Sequence, residues 1–178
     1  IRAAYNLDSD KKLVFTIGRL VPKKGLELIL DAADNFDLDG YQFVIAGTGP
    51  LESKLVSQVR ERELDNVHVV GRISEEHKRA FFQECDMFLF TSYSEGFPIT
   101  ILEAMKHGCN ILASDIPGPR DVINAQNAVL FEPGDSEDLG RKISQADWDG
   151  KSEAARRDIK RLRPEKVAKQ YLSVFRET

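Results

Sequence analysis

Two carboxylates, Glu95 and Glu103, flank the run Gly96-Phe97-Pro98-Ile99-Thr100-Ile101-Leu102. Proline serves well at the first position of a helix, where its missing N–H has no intrahelical acceptor to lose. A helix opening at Pro98 would aim the amides of Ile99, Thr100 and Ile101 out of its N-terminus, and with the macrodipole these make an anion site. Glu95 then stands just before the helix, and Glu103 about one and a half turns, roughly 7 Å, inside it. Carboxylates beside an anion site repel the anion unless they have another task. They are acceptor-only groups that take a diol bidentately. The ligand these residues describe is a phosphate flanked by hydroxyl-bearing groups on both sides, such as a sugar diphosphate joined to a ribose.

Arg19 and Lys24 suit the same ligand. A diphosphate that leaves a sugar gains negative charge as the bond breaks, and it needs cations where that charge develops. Arginine supplies a fork and lysine a point charge. A metal held by an Asp-x-Asp pair is the alternative. The pairs here, Asp8/Asp10, Asp37/Asp39 and Asp147/Asp149, fall before strands or after helices and read as solvated turns. A metal-independent site is therefore expected, with no metal ligands and no cofactor beyond the donor substrate. Gly47-Thr48-Gly49-Pro50-Leu51-Glu52 begins like a dinucleotide fingerprint, but Glu52 replaces the third glycine and no strand-end acid follows. A phosphate-binding G-x-x-x-x-G-K-[ST] loop is absent. A short Gly47/Gly49 loop opening a helix can still meet a phosphate or ribose with bare amides, or serve only as a tight turn.

These residues need elements to hold them. Short β-branched and aromatic runs occur at Leu13–Ile17, Tyr41–Ala46, Val67–Val70, Met87–Phe90, Asn110–Ala113 and Ala128–Phe131. Between them lie stretches of helical period at Leu26–Ala33, Leu51–Arg62, Ser74–Glu84, Ile99–His107, Arg120–Asn124 and Ser136–Ala146. Six strands alternating with helices predict an α/β, doubly wound, Rossmann-like parallel sheet covered on both faces. Eight units would be needed to close a barrel. In such a sheet ligands bind beyond the carboxyl ends of the strands. Gly18-Arg19, Gly47-Thr48-Gly49, Gly71-Arg72-Ile73, Thr91 to Pro98 and Ser114-Asp115 all follow strands, so glycines, hydroxyls and isolated charges collect at one rim.

The 178 residues suit one domain; 42% are apolar and 30% charged, and the net charge is −4. That excludes a strongly basic nucleic-acid binder. No run approaches the roughly 18 apolar residues of a spanning helix. The chain begins at Ile1, as a trimmed fragment would. Cys85 and Cys109 lack metal-ligand spacing and read as buried free thiols in a reducing compartment. His68, His77 and His107 suit core or surface roles. Residues 151–170 carry eight basic and three acidic side chains. Pro164 suits the first turn of a last helix, in which Val167, Tyr171 and Phe175 form an apolar stripe. Its basic face reads either as solvated, or as a surface for an absent partner domain or an anionic membrane. The expected division is a binding domain over 1–150 and a basic helical tail over 151–178.

Gly18-Arg19-Leu20, Lys24-Gly25, Gly47-x-Gly49-Pro50, Glu95-Gly96-Phe97-Pro98, Leu102-Glu103-Ala104, Gly108, Ala113-Ser114-Asp115, Asn127 and Pro133-Gly134-Asp135 together resemble family 4 of the retaining glycosyltransferases. The resemblance runs from about Lys12 to Ala146 and is to the C-terminal, donor-binding half of a GT-B enzyme. It implies that Arg19 and Lys24 hold the diphosphate, and that Glu95, with the Gly96 and Phe97 amides, meets donor-sugar hydroxyls. It implies that the Ile99 and Thr100 amides hold the distal phosphate, that Glu103 binds the ribose diol, and that Arg72-Ile73 with Lys78 seats the base. Asn110 stands where the family usually has proline and Asp121 where it usually has glutamate.

The implied reaction moves a sugar from a UDP- or GDP-linked donor to an acceptor hydroxyl with retention. The implied partners are that donor and an N-terminal acceptor domain not contained in this chain. The expected location is the cytoplasm, with the inner face of a membrane as the place where a basic tail would act. A non-catalytic nucleotide-sugar-binding module is the alternative, and the intact set Arg19, Lys24, Glu95 and Glu103 argues against it. A GT-B epimerase lacks this spacing of glutamates.

Overall fold

The computed structural model describes residues 1–161. Six strands, β1 (Lys12–Ile17), β2 (Tyr41–Ala46), β3 (Val67–Gly71), β4 (Met87–Phe90), β5 (Asn110–Ser114) and β6 (Val129–Phe131), form one parallel sheet in the order β3-β2-β1-β4-β5-β6. The helices are α1 (Glu27–Asn35), α2 (Glu52–Glu61), α3 (Glu75–Glu84), α4 (Ile99–His107), α5 (Ser136–Gln145) and α6 (Lys151–Arg161). The expected doubly wound α/β fold is what the chain adopts.

The strands are apolar on both faces because both faces are covered. Val14, Phe43, Ile45, Leu89 and Leu112 point to a core shared with α1, α2 and α5. Their neighbours Phe15, Val44, Phe88, Phe90 and Ile111 point the other way, to a core with α3 and α4. There Phe15 stacks on Phe81 with ring centroids 4.8 Å apart. Burying one such ring contributes about 1.5–3 kcal/mol.

The chain winds outward from β1 through β2 to β3, then returns to lay β4 on the other side of β1. The loops after β1 and β4 therefore diverge, which opens a crevice at the switch point. β1 and β2 run in register from Lys12 opposite Tyr41 to Ile17 opposite Ala46, so their carboxyl ends are level and their loops meet.

Three local expectations are corrected. Arg120–Asn124 is not a helix; only a 3₁₀ turn, Pro119–Asp121, forms there. Gly118 precedes it at φ +90°, and the Asn127 carboxamide accepts from the Asn124 amide at 2.8 Å, which turns the chain away from helix. Pro98 is the residue before α4 rather than its first, with a non-helical ψ of 71°. Cys109 is buried but Cys85 only half-buried, and their sulfurs lie 3.5 Å apart as free thiols.

Helix α6 opens the basic segment and packs on the domain: Ala154 and Ala155 are buried, and Arg156 donates to the His107 carbonyl at 2.5 Å, satisfying the C-terminus of α4. The helix expected from Pro164 and its stripe lie outside the described residues. Among the described residues no helix is long and apolar enough to cross a membrane.

Candidate functional site

The loops after β1 and β2 interlock. The Leu20 amide donates to the Thr48 carbonyl at 2.9 Å, the Leu51 amide to the Leu20 carbonyl at 3.1 Å, and the Gly47 amide to the Gly71 carbonyl at 2.7 Å. Gly47 has φ +127°, and a Cβ there would lie 1.8 Å from the Gly18 oxygen, so only glycine lets these backbones approach. Gly18, Gly47 and Gly49 thus shape the rim beneath Arg19. Arg19 is exposed, its carbonyl accepts from the Val21 amide at 2.9 Å, and its guanidinium makes no hydrogen bond or ion pair among the described residues.

Lys24 ends a 3₁₀ turn, Pro22–Lys24, that the loop after β4 grips by its backbone. The Thr91 hydroxyl donates to the Lys24 carbonyl at 2.7 Å, and the Tyr93 amide to the Lys23 carbonyl at 2.8 Å. The Ser114 hydroxyl donates to the Ser92 carbonyl at 2.6 Å and holds that loop to β5. The Lys24 ammonium meets the Glu95 carboxylate in an ion pair whose side chains are 20% and 16% exposed. It also lies 5.2 Å from the centre of the Phe90 ring. Behind Glu95 sits Gly118, where a Cβ would lie 2.4 Å from the Glu95 carbonyl oxygen. Arg19, Val21, Pro22, Lys23, Lys24 and Glu95 line an open cleft of about 550 Å³, within the usual range for small-ligand sites.

The N-terminus of α4 faces the same rim. Ser74 caps α3 and Asp135 caps α5 by side-chain acceptance, but α4 has no side-chain cap. Of the three amides expected to be open there, Ile99 donates to the Phe97 carbonyl and Ile101 to the Pro98 carbonyl, both at 3.0 Å. The tight turn that places Pro98 before the helix spends them. Among the described residues the Thr100 amide has no backbone acceptor. Gly96 is exposed, Phe97 half-buried and Pro98 buried.

Glu103 lies deeper in α4 and is reached by Lys78 of α3, with Nζ 2.8 Å from Oε1. The same ammonium is 2.8 Å from Glu75. Burial lowers the Lys78 pKa, but the hydrogen bonds and charges of Glu103 and Glu75 outweigh it and raise the amine above its usual value. Arg72 and Ile73 follow β3 at this rim, Arg72 exposed and Ile73 packed against the core. The structure therefore brings together Arg19, Lys24 and Glu95 at one end of the rim, and Lys78 with Glu103 at the other.

The remaining candidates stand apart. Asp8 and Asp147 each accept a backbone amide two residues on, at 2.8 and 3.0 Å, as turn residues do. Asn110, at the start of β5, donates to the Asp86 carbonyl at the far end of the sheet. His77 shares a 2.8 Å hydrogen bond with the Tyr5 hydroxyl. His107 stacks on Phe82, and burial lowers its pKa, as it does for His68. The hydrogen bond with Cys109, together with burial, raises the Cys85 thiol well above its usual pKa, so it is a poor nucleophile. Asp115 and Arg120 form a two-point pair at 2.5 and 2.8 Å, which lowers the Asp115 pKa.

Gly118 was not singled out from the sequence, and Thr91 was read only as one of the hydroxyls collected at the rim, not as the residue that holds Lys24. A Thr-Ser pair after a buried apolar strand and a glycine between two prolines were the available signals.

The sequence matches the family model described as glycosyl transferases group 1 over residues 1–163. A Campylobacter jejuni protein named N,N'-diacetylbacillosaminyl-diphospho-undecaprenol alpha-1,3-N-acetylgalactosaminyltransferase is 30% identical over 177 residues, which cover 96% of this chain and 46% of that protein. Sucrose-phosphate synthase from Thermosynechococcus elongatus superposes with a TM-score of 0.79 at 26% identity, over 99% of this chain and 47% of that one. The C-terminal domain of a glycosyl transferase group 1 family protein (LpcC) from Francisella tularensis has the same fold, with a TM-score of 0.73 at 19% identity and 85% of each chain covered. The chain spans less than half the length of the first curated relatives it matches. The family match runs through nearly the whole chain, and it makes this protein a member of the glycosyl transferases group 1 family.

Proposed function

We propose that the chain is the donor-binding, C-terminal domain of a family 4 retaining glycosyltransferase, and that it takes a nucleoside diphosphate sugar without a metal. The observation that carries this reading is the pairing of two acids with two bases along one rim: Glu95 with Lys24 outside α4, and Glu103 with Lys78 inside it. A diphosphate beside Arg19, Lys24 and the Thr100 amide has a carboxylate on each side of it. Glu95 takes the sugar hydroxyls and Glu103 the ribose diol.

In the reaction the bond between the anomeric carbon and the diphosphate oxygen breaks. The acceptor oxygen bonds to that carbon from the same face, and the leaving diphosphate takes the acceptor's proton. Arg19 and Lys24 stand where the leaving oxygens become more negative, which is where fixed cations lower the barrier most. They supply the positive charge that a metal supplies elsewhere.

The acceptor is bound by a separate N-terminal domain, so this chain alone binds donor and transfers nothing. The base-rich segment from Lys151 favours work at an anionic membrane face on the cytoplasmic side. The Campylobacter relative is named for an acceptor on diphospho-undecaprenol, which fits that location.

Calorimetric titration with UDP, GDP and ADP tests the reading. At least one should bind with a Kd well below about 1 mM, equivalent to more than about 4 kcal/mol. Absence of binding by all three, or robust sugar transfer by this chain alone, would contradict it.

A further inference from the structure

Lys78 stands on α3, yet its ammonium is committed to carboxylates rather than left open to a base. It lies 2.8 Å from Glu103 Oε1 on α4 and 2.8 Å from Glu75 Oε2 on its own helix. An ammonium has three donors, so two are spent. The two partners differ in setting. Glu75 is 82% exposed and Glu103 32%. The outer pair is screened by water and contributes little by itself, whereas the inner one fixes Glu103 at the rim. This contact is not needed to pack α3 on α4, because Phe82 of α3 already stacks on His107 of α4, one turn beyond Glu103, at 5.7 Å.

We infer that Lys78 is a positioning residue for Glu103, and that the chain's preference for ribose over deoxyribose is set through this hold. The inference rests on the donor-site reading above. A glutamate has three rotatable bonds and loses that freedom when it meets a diol. A carboxylate already held through Oε1 has lost it before the ligand arrives, and its Oε2 remains to accept from the ribose. The Lys78 ammonium keeps its charge throughout the neutral range, since its partners raise its pKa. The hold is therefore constant across ordinary working pH.

The test compares UDP, GDP and ADP with their 2′-deoxy counterparts and with inorganic pyrophosphate, by calorimetry. The proteins are the unsubstituted chain, Lys78→Met, Lys78→Arg and the control Lys54→Met, an exposed lysine whose half-buried partner Glu27 lies on α1. Folding is checked by circular dichroism, and Lys78→Gln replaces Lys78→Met if the latter does not fold. The unsubstituted chain should prefer the ribose form about tenfold, the scale of one hydrogen bond to a charged group. Lys78→Met should bring that preference within about twofold while changing pyrophosphate affinity less than about threefold. Lys78→Arg should restore it, and Lys54→Met should leave it intact. A ribose preference that survives in Lys78→Met overturns the inference. So does an equal loss for all ligands, pyrophosphate included. An unsubstituted chain that binds nucleoside diphosphates without preferring ribose overturns this inference alone, whereas one that binds none overturns the donor-site reading and the inference with it.

Discussion

Lys24 and Glu95 lie 71 positions apart and meet in an ion pair at the carboxyl rim of the sheet. They meet because β1 and β4 are neighbours although β2 and β3 separate them along the chain. The pair has a consequence for ligands. Without a ligand, Glu95 neutralises Lys24. On the proposed donor-site reading, binding would release Lys24 toward phosphate and free Glu95 for the sugar.

Glu95→Ala should therefore leave affinity for a nucleoside diphosphate unchanged or raise it, by up to about 1 kcal/mol, because a carboxylate near the phosphates is gone and Lys24 is released. Lys24→Ala should weaken the same ligand by about 1–3 kcal/mol. Calorimetry on both variants checks this. A collapse of affinity in Glu95→Ala with the fold intact would reverse the assignment of sides.

Glu103→Ala should weaken a ribonucleoside diphosphate by about 1–3 kcal/mol, the scale for hydrogen bonds to a charged group. Pyrophosphate, which has no diol, should lose much less. Equal losses for both ligands would leave Glu103 a structural residue only.

Affinity should not depend on a divalent metal. Titrations with and without a chelator should agree, since Arg19 and Lys24 carry the positive charge. A loss of tenfold or more on chelation, about 1.4 kcal/mol, would contradict this.

Stability should fall on acidification below neutral pH. His68 and His107 both have pKa values lowered from 6.5, first by burial and then by nearby Lys11 and by Lys106 and Arg79 respectively. As pH falls through about 6.5 the unfolded chain takes up protons that the folded chain refuses, so the folded state loses ground. Thermal unfolding between pH 5.5 and 7.5 should show a midpoint lower by a few degrees at the acid end, and less so in His68→Gln/His107→Gln. A higher midpoint at pH 5.5 would contradict the sign.

The strands and most helices were legible because their patterns are local. Tyr41–Ala46, Met87–Phe90 and Ile99–His107 were read at their observed bounds. The switch-point rim followed from asking what stands after each strand. Arg120–Asn124 misled because its spacing is helical while Gly118 and the Asn127 carboxamide, both outside the stretch, bend the chain. The amides of Ile99 and Ile101 were expected to be open, but a turn through Pro98 supplies them with acceptors. The two acid–base pairs were not legible at all. Each joins residues from different elements, and no spacing in the chain reports that Lys24 faces Glu95 or that Lys78 faces Glu103.

The central claim is that the rim between the loops after β1 and β4 holds a nucleoside diphosphate. A crystal structure of the chain with whichever of UDP, GDP and ADP binds most tightly tests it most directly. The phosphates should lie within hydrogen-bond reach of Lys24 Nζ, the Arg19 guanidinium and the Thr100 amide, with the ribose hydroxyls on Glu103. Phosphates seated elsewhere on the molecule, with Lys24 still paired to Glu95 and Glu103 untouched, would contradict the account.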